Sequence, residues 1–386
     1  MVLISFRPTE EEVGLIQVAR DFAKERIRPA ARDAEDALSV PTELAAKAAE
    51  LGFLVMELPE SLGGLELSVV SQVQVWEELA YGDLALVQGW PGLGDAASLL
   101  RFTAYLPNIR SQLTSVEMDG CGPTTAWLDA SDPNVAWDSA PSLVQIGNGY
   151  VLRGTSRPVR MARDATCLLV SARDEQGVPV ILWLQRSQSP WTVEEGDVRL
   201  GLLSAGVRRL RFDDLEVGPE DVLARGEGAE ALLARSLPRV RTLQAAKELG
   251  LMRAALEYTV EYTAGRKAFG QEIAKFQGVS FVAADMQIEM QAARMLVLKA
   301  ALDIDQERPE ADESSLYALA RAHRAARFVS NNAVQLLGGS GFVKEYPVEK
   351  WMRDAQAQVM LYGREAGFLL DAGERLVHPK GKVAVS

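Results

Sequence analysis

A change in the sequence pattern at about residues 117 and 227 limits the folds open to this 386-residue chain more than any other feature. Before the first point and after the second, apolar residues recur at helical spacing. Between the two points, short apolar runs such as 166–171 and 180–184 alternate with glycine, aspartate and proline turns, which is typical of strands and hairpins. We therefore predict an α+β, mainly helical protein with an N-terminal helical domain (1–116), a β-domain (117–226) and a C-terminal helical domain (227–386).

Charge and cysteine content narrow the classes of partner and compartment. The formal net charge is −12, and a chain of that sign repels nucleic acid and anionic membranes, so we expect neither as a partner. Cys121 and Cys167 are the only cysteines, too few for a disulfide framework, which favours a reducing compartment. The sequence shows no signal-peptide pattern, and no apolar run reaches the about 18 residues of a membrane-spanning helix. We therefore expect a cytoplasmic protein without membrane insertion.

The two histidines, His323 and His378, restrict the kinds of catalytic site. No histidine pair at helical spacing and no Cys-x-x-Cys motif is present, so no metal site is predicted. His323 lies in Ala-Arg-Ala-His-Arg-Ala-Ala-Arg, a pattern typical of an exposed helix surface. We expect both histidines to be exposed polar residues, which leaves a Ser-His-Asp triad without a suitable base.

Three segments contain residue types suited to a phosphate-bearing ligand. Arg266-Lys-Ala-Phe-Gly270 places a guanidinium, which binds phosphate well, beside a glycine turn, although a surface arginine is the commoner explanation. Gln335-Leu-Leu-Gly-Gly-Ser-Gly341 is a glycine-rich helix exit that either admits a ligand to the backbone or simply ends the helix. The third segment, 345–354, begins a helix with proline in its first turn and is also typical of a charged helix surface.

Taken together and in order, these segments resemble the acyl-CoA dehydrogenase family. The matching motifs are Arg-Lys-x-Phe-Gly (266–270), Phe-Gln (276–277), Gln-x-x-Gly-Gly-x-Gly-Phe (335–342), Glu-Tyr-Pro-Val-Glu-Lys-x-x-Arg-Asp-Ala (345–355) and, near the N-terminus, Glu-Leu-Gly-Phe (50–53). The resemblance covers the whole chain, most strongly after residue 240 and most weakly between 108 and 225.

The resemblance implies an acyl-CoA dehydrogenase-like fold, with an N-terminal helical domain, a middle β-domain and a C-terminal four-helix bundle. It also implies a dimer or tetramer that binds FAD between subunits. Arg266 and Phe269 match residues that touch the FAD of the neighbouring subunit. Gln335, Gly338 and Gly339 match residues that line its diphosphate.

In the β-domain the chain departs from the family pattern. The family's flavin motif, Leu-Thr-Glu-Pro-x-Ala-Gly-Ser-Asp, has its best match at 124–132. This match keeps Thr125 and Ser131, whose counterparts hydrogen-bond flavin and phosphate, but it loses the Glu-Pro pair. The family's Trp-Ile-Thr wall against the isoalloxazine aligns with Pro158-Val159-Arg160, so that a saturated ring and a cation replace the aromatic wall and the hydroxyl.

The family's catalytic glutamate is also missing. Its Tyr-Glu-Gly-Thr motif aligns with 361–364, which places Tyr362 at the glutamate position. Some members carry the base instead just before an arginine that the resemblance places near the thioester; that arginine matches Arg241, and Val240 precedes it. A tyrosine with an ordinary pKa of about 10 is only about 0.1% ionised at pH 7. Glu365, one turn beyond Tyr362, is the remaining candidate base.

Three functions follow from the resemblance. The first is an FAD-dependent dehydrogenase of fatty acid metabolism, which oxidises an acyl-CoA or acyl-carrier-protein thioester, has an unusual or relocated base, and passes electrons to an electron-transfer flavoprotein. The second is a monooxygenase of the same fold that uses reduced flavin and O₂. The third is a non-catalytic subunit that completes the FAD site of a related chain through Arg266. The assembly is accordingly a homo-oligomer, such as a homotetramer, or a heteromer with a related subunit.

Overall fold

The structure is a computed structural model that describes residues 10–103, 109–110, 113, 121–131, 141–195, 198–363 and 365–377. The described residues form two compact units. We call those within Met1–Arg28, Val69–Leu84 and Arg241–Ser386 the bundle unit, and those within Pro29–Ser68 and Ala85–Val240 the β unit. The predicted three-domain division stays a prediction.

Helices occur in both units and make up most of the bundle unit. Within the described ranges the helices are, in chain order, α1 (Glu10–Phe22), α2 (Arg28–Asp36), α3 (Thr42–Glu50), α4 (Val69–Gly82), α5 (Leu84–Gln88), α6 (Ala97–Leu100), α7 (Glu227–Gly265), α8 (Gln277–Asp305), α9 (Ala311–Leu337), α10 (Val348–Leu361) and α11 (Glu365–Val377). A π-helical segment, Ala23–Ile27, joins α1 to α2, and a 3₁₀ segment, Gly338–Phe342, follows α9.

The long helices of the bundle unit are held by apolar stripes. On α8, Met286, Met290, Ala293 and Val297 recur every three or four residues and are all buried. This stripe packs along α9, which in turn contacts α10 and α11. Each helix therefore gains most of its stability from its neighbours rather than from intrinsic helix propensity.

His323, which we predicted to be exposed on a helix surface, is instead 0% exposed, so that prediction was wrong. The alanines around it face the neighbours of α9, and this helix is packed against α8, α10 and α11. An alanine-rich stretch therefore marks close helix packing here and not a solvated face. Nδ1 of His323 lies 2.8 Å from Oε1 of the buried Glu248. His378 lies outside the described residues.

The strands belong mostly to the β unit. In chain order, the described ranges contain β1 (Thr125–Asp129), β2 (Ser142–Ile146), β3 (Gly149–Thr155), β4 (Cys167–Arg173), β5 (Pro179–Gln185), β6 (Thr192–Glu194), β7 (Arg209–Val217), β8 (Val222–Arg225), β9 (Lys267–Ala268) and β10 (Gln271–Glu272). The last two form a short hairpin in the bundle unit.

Two four-stranded sheets build the β unit, in the orders β1-β4-β5-β8 and β2-β3-β7-β6. β1 runs parallel to β4, and the other neighbours are antiparallel. The first sheet is buried on both faces, since Leu168 and Leu182 belong to one apolar core while Leu169 and Trp183 belong to a second. Double burial explains why β4 and β5 read as continuous apolar runs rather than as alternating patterns.

The described chain is thus mainly helical, with a central β region and a C-terminal helical domain, which confirms the predicted fold class. None of its helices combines the length and the apolar character needed to cross a membrane. Nor do three of its histidine, cysteine or acidic side chains come together as a set of metal ligands.

Candidate active site

The segment around Arg266 forms an exposed hairpin at the end of α7. The Arg266 amide still donates to the Tyr262 carbonyl (2.9 Å), and β9 then turns back into β10 through Phe269 and Gly270. Both turn residues have positive φ, +50° and +84°, as a two-residue type I′ turn requires. Glycine accepts that conformation freely, whereas a phenylalanine adopts it at a cost of about 1–2 kcal/mol.

Phe269 and Arg266 are both exposed in this hairpin. The Phe269 side chain is 96% exposed, and its ring meets only the edge of Phe276, at 6.2 Å between centroids. Arg266 is exposed, and its guanidinium has no ion pair or hydrogen bond with any other residue that the structure describes. A strained, exposed aromatic residue beside an unpaired cation contributes little to this chain's own stability, which suits a role toward something outside it.

The glycine-rich exit of α9 offers open backbone. Gly338 ends the helix with φ +57°, and its amide donates to the Gln335 carbonyl. A Cβ atom added at Gly338 or Gly339 would meet no atom within 4 Å, whereas one at Gly341 would lie 2.3 Å from the Val334 carbonyl oxygen. Gly341 is therefore needed for packing, while Gly338 and Gly339 are exposed and accessible to a ligand.

One hydrogen bond brings these two segments to the same end of the bundle unit. The Tyr262 hydroxyl donates to Oγ of Ser340 at 3.1 Å, and its ring packs edge-on against Tyr346. Tyr262 lies one turn before Arg266, and Ser340 follows the open glycines directly. We call Arg266, Phe269, Gln335, Gly338 and Gly339 the open end of the bundle unit. It combines a cation, an exposed amide and accessible backbone.

The two candidate bases of the sequence lie where α10 ends and α11 begins. Tyr362 is half-buried just after the end of α10. Glu365 begins α11, and its carboxylate accepts from Nε of Arg324 at 2.7 Å and from Nη2 of Arg327, both on α9. Its side chain is only 14% exposed. Two guanidiniums therefore hold Glu365 as an anchor for the start of α11 and occupy both of its oxygens.

Arg241 is tied into an ion-pair cluster. Its Nη1 donates to Oδ1 of Asp312 at 2.6 Å, and Arg375 donates to the other oxygen of the same carboxylate. Burial alone would raise the pKa of Asp312, but the two guanidiniums outweigh burial and hold that pKa below its ordinary value. The cluster joins α7, α9 and α11, and Val240, just before Arg241, is buried and apolar.

In the β unit, the hydrogen-bond donors of Thr125 and Ser131 are bound to acceptors of the same chain. The buried Thr125 hydroxyl donates to the Pro123 carbonyl at 2.9 Å. The Ser131 amide and hydroxyl both donate to Oδ1 of Asp129, at 3.1 and 2.6 Å. The same oxygen also accepts from Oγ of Ser171 at 2.7 Å.

Arg160 stands where the family resemblance places the threonine of the Trp-Ile-Thr motif, and it forms a buried ion pair. It is 8% exposed, and its Nη1 donates to the Gln88 carbonyl at 2.8 Å. Its Nε and Nη2 lie 3.3 and 3.2 Å from Oδ2 of Asp95. We did not predict Asp95 or Asp129 as partners at this site. The only signal in the sequence is that Asp129 stands where the family motif has alanine.

Comparison with known proteins identifies the family. The model of the acyl-CoA dehydrogenase N-terminal domain matches residues 9–102, and that of the C-terminal domain matches residues 226–376. The chain belongs to the acyl-CoA dehydrogenase family.

Relatives span nearly the whole chain. The mitochondrial short-chain specific acyl-CoA dehydrogenase of Rattus norvegicus is 29% identical over 350 residues, which are 89% of this chain and 84% of that protein. Benzylmalonyl-CoA dehydrogenase of Aromatoleum aromaticum is 29% identical over 361 residues, 92% of this chain and 94% of that protein. Among solved structures, butyryl-CoA dehydrogenase from Megasphaera elsdenii has a TM-score of 0.84 at 25% identity, covering 97% of this chain and all of that one.

Members of this acyl-CoA dehydrogenase family bind FAD, and the two units of this chain fit that cofactor differently. The open end of the bundle unit fits, because an exposed guanidinium, an amide and accessible glycine backbone are the donors that a diphosphate needs. The β unit does not fit. The amide and hydroxyl of Ser131 already donate to Asp129, and Arg160 forms an ion pair with Asp95. Pro158 also supplies no aromatic surface for the flavin ring.

Proposed function

We propose that this chain is a subunit of an acyl-CoA dehydrogenase that oxidises the Cα–Cβ bond of an acyl thioester with FAD as hydride acceptor. Within that assembly it completes the FAD site of a related subunit, and it does not supply the base. The observation that carries the proposal is a contrast between the units: the donors at the open end of the bundle unit face solvent, whereas those of Ser131 and Arg160 in the β unit are bound to Asp129 and Asp95.

The lack of a suitable base indicates that this chain assists another subunit and does not itself catalyse proton abstraction. Dehydrogenation needs a group that takes the α-proton as hydride leaves the β-carbon, and a carboxylate does this near neutral pH. Tyr362 stands at the usual position, and a phenol of ordinary acidity is not a ready base near neutral pH. Glu365 is held by Arg324 and Arg327, and Val240 offers no titratable group.

FAD, when bound, supplies the hydride acceptor of the reaction. In this proposal Arg266 binds its diphosphate through charge-assisted hydrogen bonds, with Gln335 and the backbone of Gly338 and Gly339. Phe269 covers the cofactor with apolar surface and so excludes water from it. These side chains contribute to a site on another chain, and this is the reason that they are exposed on their own chain.

Several finer points belong to the same proposal. The substrate is an acyl-CoA or acyl-carrier-protein thioester, and the named relatives act on CoA thioesters. An electron-transfer flavoprotein reoxidises the flavin, and the reaction belongs to fatty acid metabolism. The two cysteines are free thiols, which accords with a cytoplasmic location. The assembly is a heteromer with a related subunit rather than a homotetramer, since two copies of this chain would bring no complete flavin wall.

A homo-oligomeric dehydrogenase with its own flavin and a relocated base is the main competing function. It would use the same open end toward a second copy of this chain. The two functions differ in one respect: the homo-oligomer binds FAD without another protein, and the heteromer does not. No feature of the described residues favours the flavin-dependent monooxygenase over these two.

Co-expression with a related chain that retains the catalytic glutamate, encoded by a neighbouring gene, tests the proposal. We expect the purified complex to contain FAD and Arg266→Gln to reduce that FAD content at least about tenfold, as loss of a charge-assisted contact predicts. Lys267→Gln is the matched control, because it removes an exposed cation from the same hairpin and is expected to leave flavin content unchanged.

Two outcomes would overturn the proposal. One is stoichiometric FAD in this chain purified alone. The other is equal flavin content in the Arg266→Gln and Lys267→Gln complexes.

A further inference from the structure

Asp129 accepts the hydrogen bonds of Ser131, the residue that matches a phosphate-binding serine of the family. We propose that its carboxylate is a built-in substitute for a ligand phosphate, which satisfies the donors of Ser131 and keeps the flavin diphosphate out of this chain's own β unit. The inference deepens the proposed function, because it states which half of the FAD site this chain lacks and by what means. It rests on that function only in taking FAD as the excluded ligand.

The donor set around Asp129 is that of a phosphate oxygen. Its Oδ1 accepts from the Ser131 amide at 3.1 Å, from the Ser131 hydroxyl at 2.6 Å and from the Ser171 hydroxyl at 2.7 Å. Backbone amides and hydroxyls converging on one oxygen are the usual way in which proteins bind a phosphate or carboxylate. Here the anion comes from the chain itself, two residues before the serine.

The sheet fixes Asp129 in this position. Asp129 and Ser171 are direct partners in the parallel pair of β1 and β4. Ser171 is fully buried, and its hydroxyl also accepts from Nε1 of Trp127 at 3.0 Å, whose ring packs against one of the two cores. From the other side, Nε of Arg173 donates to the Ser131 carbonyl at 3.1 Å. The carboxylate is thus held by Ser131, just after β1, and by Ser171 on β4, and is not a freely rotating surface side chain.

The charge of a second residue that departs from the family pattern is also satisfied within the β unit. Arg160 stands where the family resemblance places a flavin-facing hydroxyl, and its charge is met inside the unit by Asp95 and the Gln88 carbonyl. The guanidinium packs closely against Gly94, where an added Cβ atom would lie 2.4 Å from Nη2 of Arg160. Both departures from the family pattern are therefore satisfied within the unit, Asp129 by Ser131 and Ser171 and Arg160 by Asp95, as expected of a region that receives no ligand.

Restoring the family's alanine tests the inference on the purified chain alone. In an Arg266→Gln background, which removes the open end as an anion site, Asp129→Ala is compared with the wild-type aspartate. The matched control is Asp213→Ala, which removes an exposed aspartate on β7 of the same unit. Two ligands serve as probes. Binding of inorganic pyrophosphate is measured by the rise in unfolding temperature, and binding of FAD is measured by quenching of the FAD fluorescence.

We expect Asp129→Ala to unfold at a lower temperature without ligand and to recover by about 5 °C at pyrophosphate concentrations about 100-fold above its Kd. Its affinity for FAD is expected to exceed that of the parent chain at least about tenfold. The parent chain and Asp213→Ala are expected to show neither effect.

Asp129→Asn serves if the alanine variant does not fold, because it keeps an acceptor oxygen and removes only the charge; a gain in pyrophosphate and FAD binding is expected there too. Absence of that gain in every folded Asp129 variant would overturn the inference. If Arg266→Gln still removed flavin from the complex, the proposed function would stand and only the role of Asp129 would fall.

Discussion

Two arginines show how differently this chain uses its cations at the scale of single residues. Arg266 is exposed and has no ion-pair partner among the described residues. Arg160 is 8% exposed and is bound to Asp95 and to the Gln88 carbonyl. A buried pair is satisfied by its own chain, whereas an exposed cation remains available to an outside anion. This contrast is the basis for dividing the FAD site between this chain and a related one.

Phe269 is a position at which we expect stability and function to separate. Phe269→Gly relieves the cost of a left-handed non-glycine residue, and this relief offsets the greater freedom of glycine in the unfolded chain. We expect the unfolding temperature to stay within about 2 °C of wild type, while the FAD content of the heteromeric complex falls. Thermal unfolding and flavin absorbance on the same preparations measure both. A variant that loses stability yet keeps its flavin would contradict this role.

Arg160 is expected to behave in the opposite way. Arg160→Thr leaves Asp95 without its buried partner, and breaking such a pair from one side costs about 3 kcal/mol of unfolding free energy. Arg211→Thr, which removes an exposed cation from β7, is the matched control and is expected to cost less than about 1 kcal/mol. Urea unfolding at neutral pH measures both values. Equal stability of the two variants would show that the Arg160 pair contributes nothing.

The residues of the site fall into two groups: those that a local sequence motif indicates, and those that only the folded structure brings together. Arg266, Gln335 and the glycines after α9 lie in contiguous motifs, so the sequence alone points to them. The partners Asp129 and Asp95 depend on tertiary placement: Asp129 meets Ser171 through the register of a parallel strand pair, and Asp95 meets Arg160 across 65 positions. No local pattern carries such information.

At the scale of elements, the exit of α9 has two kinds of glycine. A methyl group at Gly341 would collide with the Val334 carbonyl, so Gly341→Ala is expected to lower the unfolding free energy by about 1–3 kcal/mol. Gly339→Ala has open space and is expected to leave stability unchanged while lowering the flavin content of the complex. Urea unfolding and flavin absorbance of both variants test the distinction. If Gly339→Ala retains full flavin, the open backbone there is not a ligand contact.

The Asp312 cluster links three helices and should give the bundle unit a pH dependence. The pKa of Asp312 is lowered in the folded state, so its contribution to stability is fully present above the ordinary value of about 3.9 and is lost as the pH falls through the folded pKa. Arg241→Gln removes part of that contribution. We expect it to reduce the unfolding free energy by about 1 kcal/mol above pH 5 and by less as the pH falls below 4.

Unfolding free energies measured as a function of pH check this expectation. Arg324→Gln is the control, because Glu365 keeps Arg327 as a partner and the variant should show little change. A difference between wild type and Arg241→Gln that does not depend on pH would mean that Asp312 is not the group responsible.

The elements themselves were largely predictable from the sequence, and the exception is instructive. Helical periodicity and glycine exits are local, and the apolar runs of β4 and β5 follow directly from burial on both faces. His323 was misjudged because alanine is compatible with a solvated face and with close packing alike. Only the contacts of α9 with its neighbours distinguish the two cases.

At the scale of the whole molecule, this member of the acyl-CoA dehydrogenase family has two units that, under the proposed function, serve different chains. The bundle unit exposes its donors to solvent, and in the proposal Asp129 closes the anion site of the β unit. Under that proposal the chain is complete only in an assembly, and the exposed Phe269 and Arg266 at one end of the bundle unit are the residues that a second chain would meet.

The visible absorption spectrum of this chain, purified first alone with added FAD and then together with a related subunit that retains the catalytic glutamate, tests that claim most directly. We predict no flavin bands in the chain alone after removal of free FAD, and flavin bands in the co-purified complex. Flavin bands of equal stoichiometry in the chain alone would contradict the account and identify a dehydrogenase that holds its own cofactor.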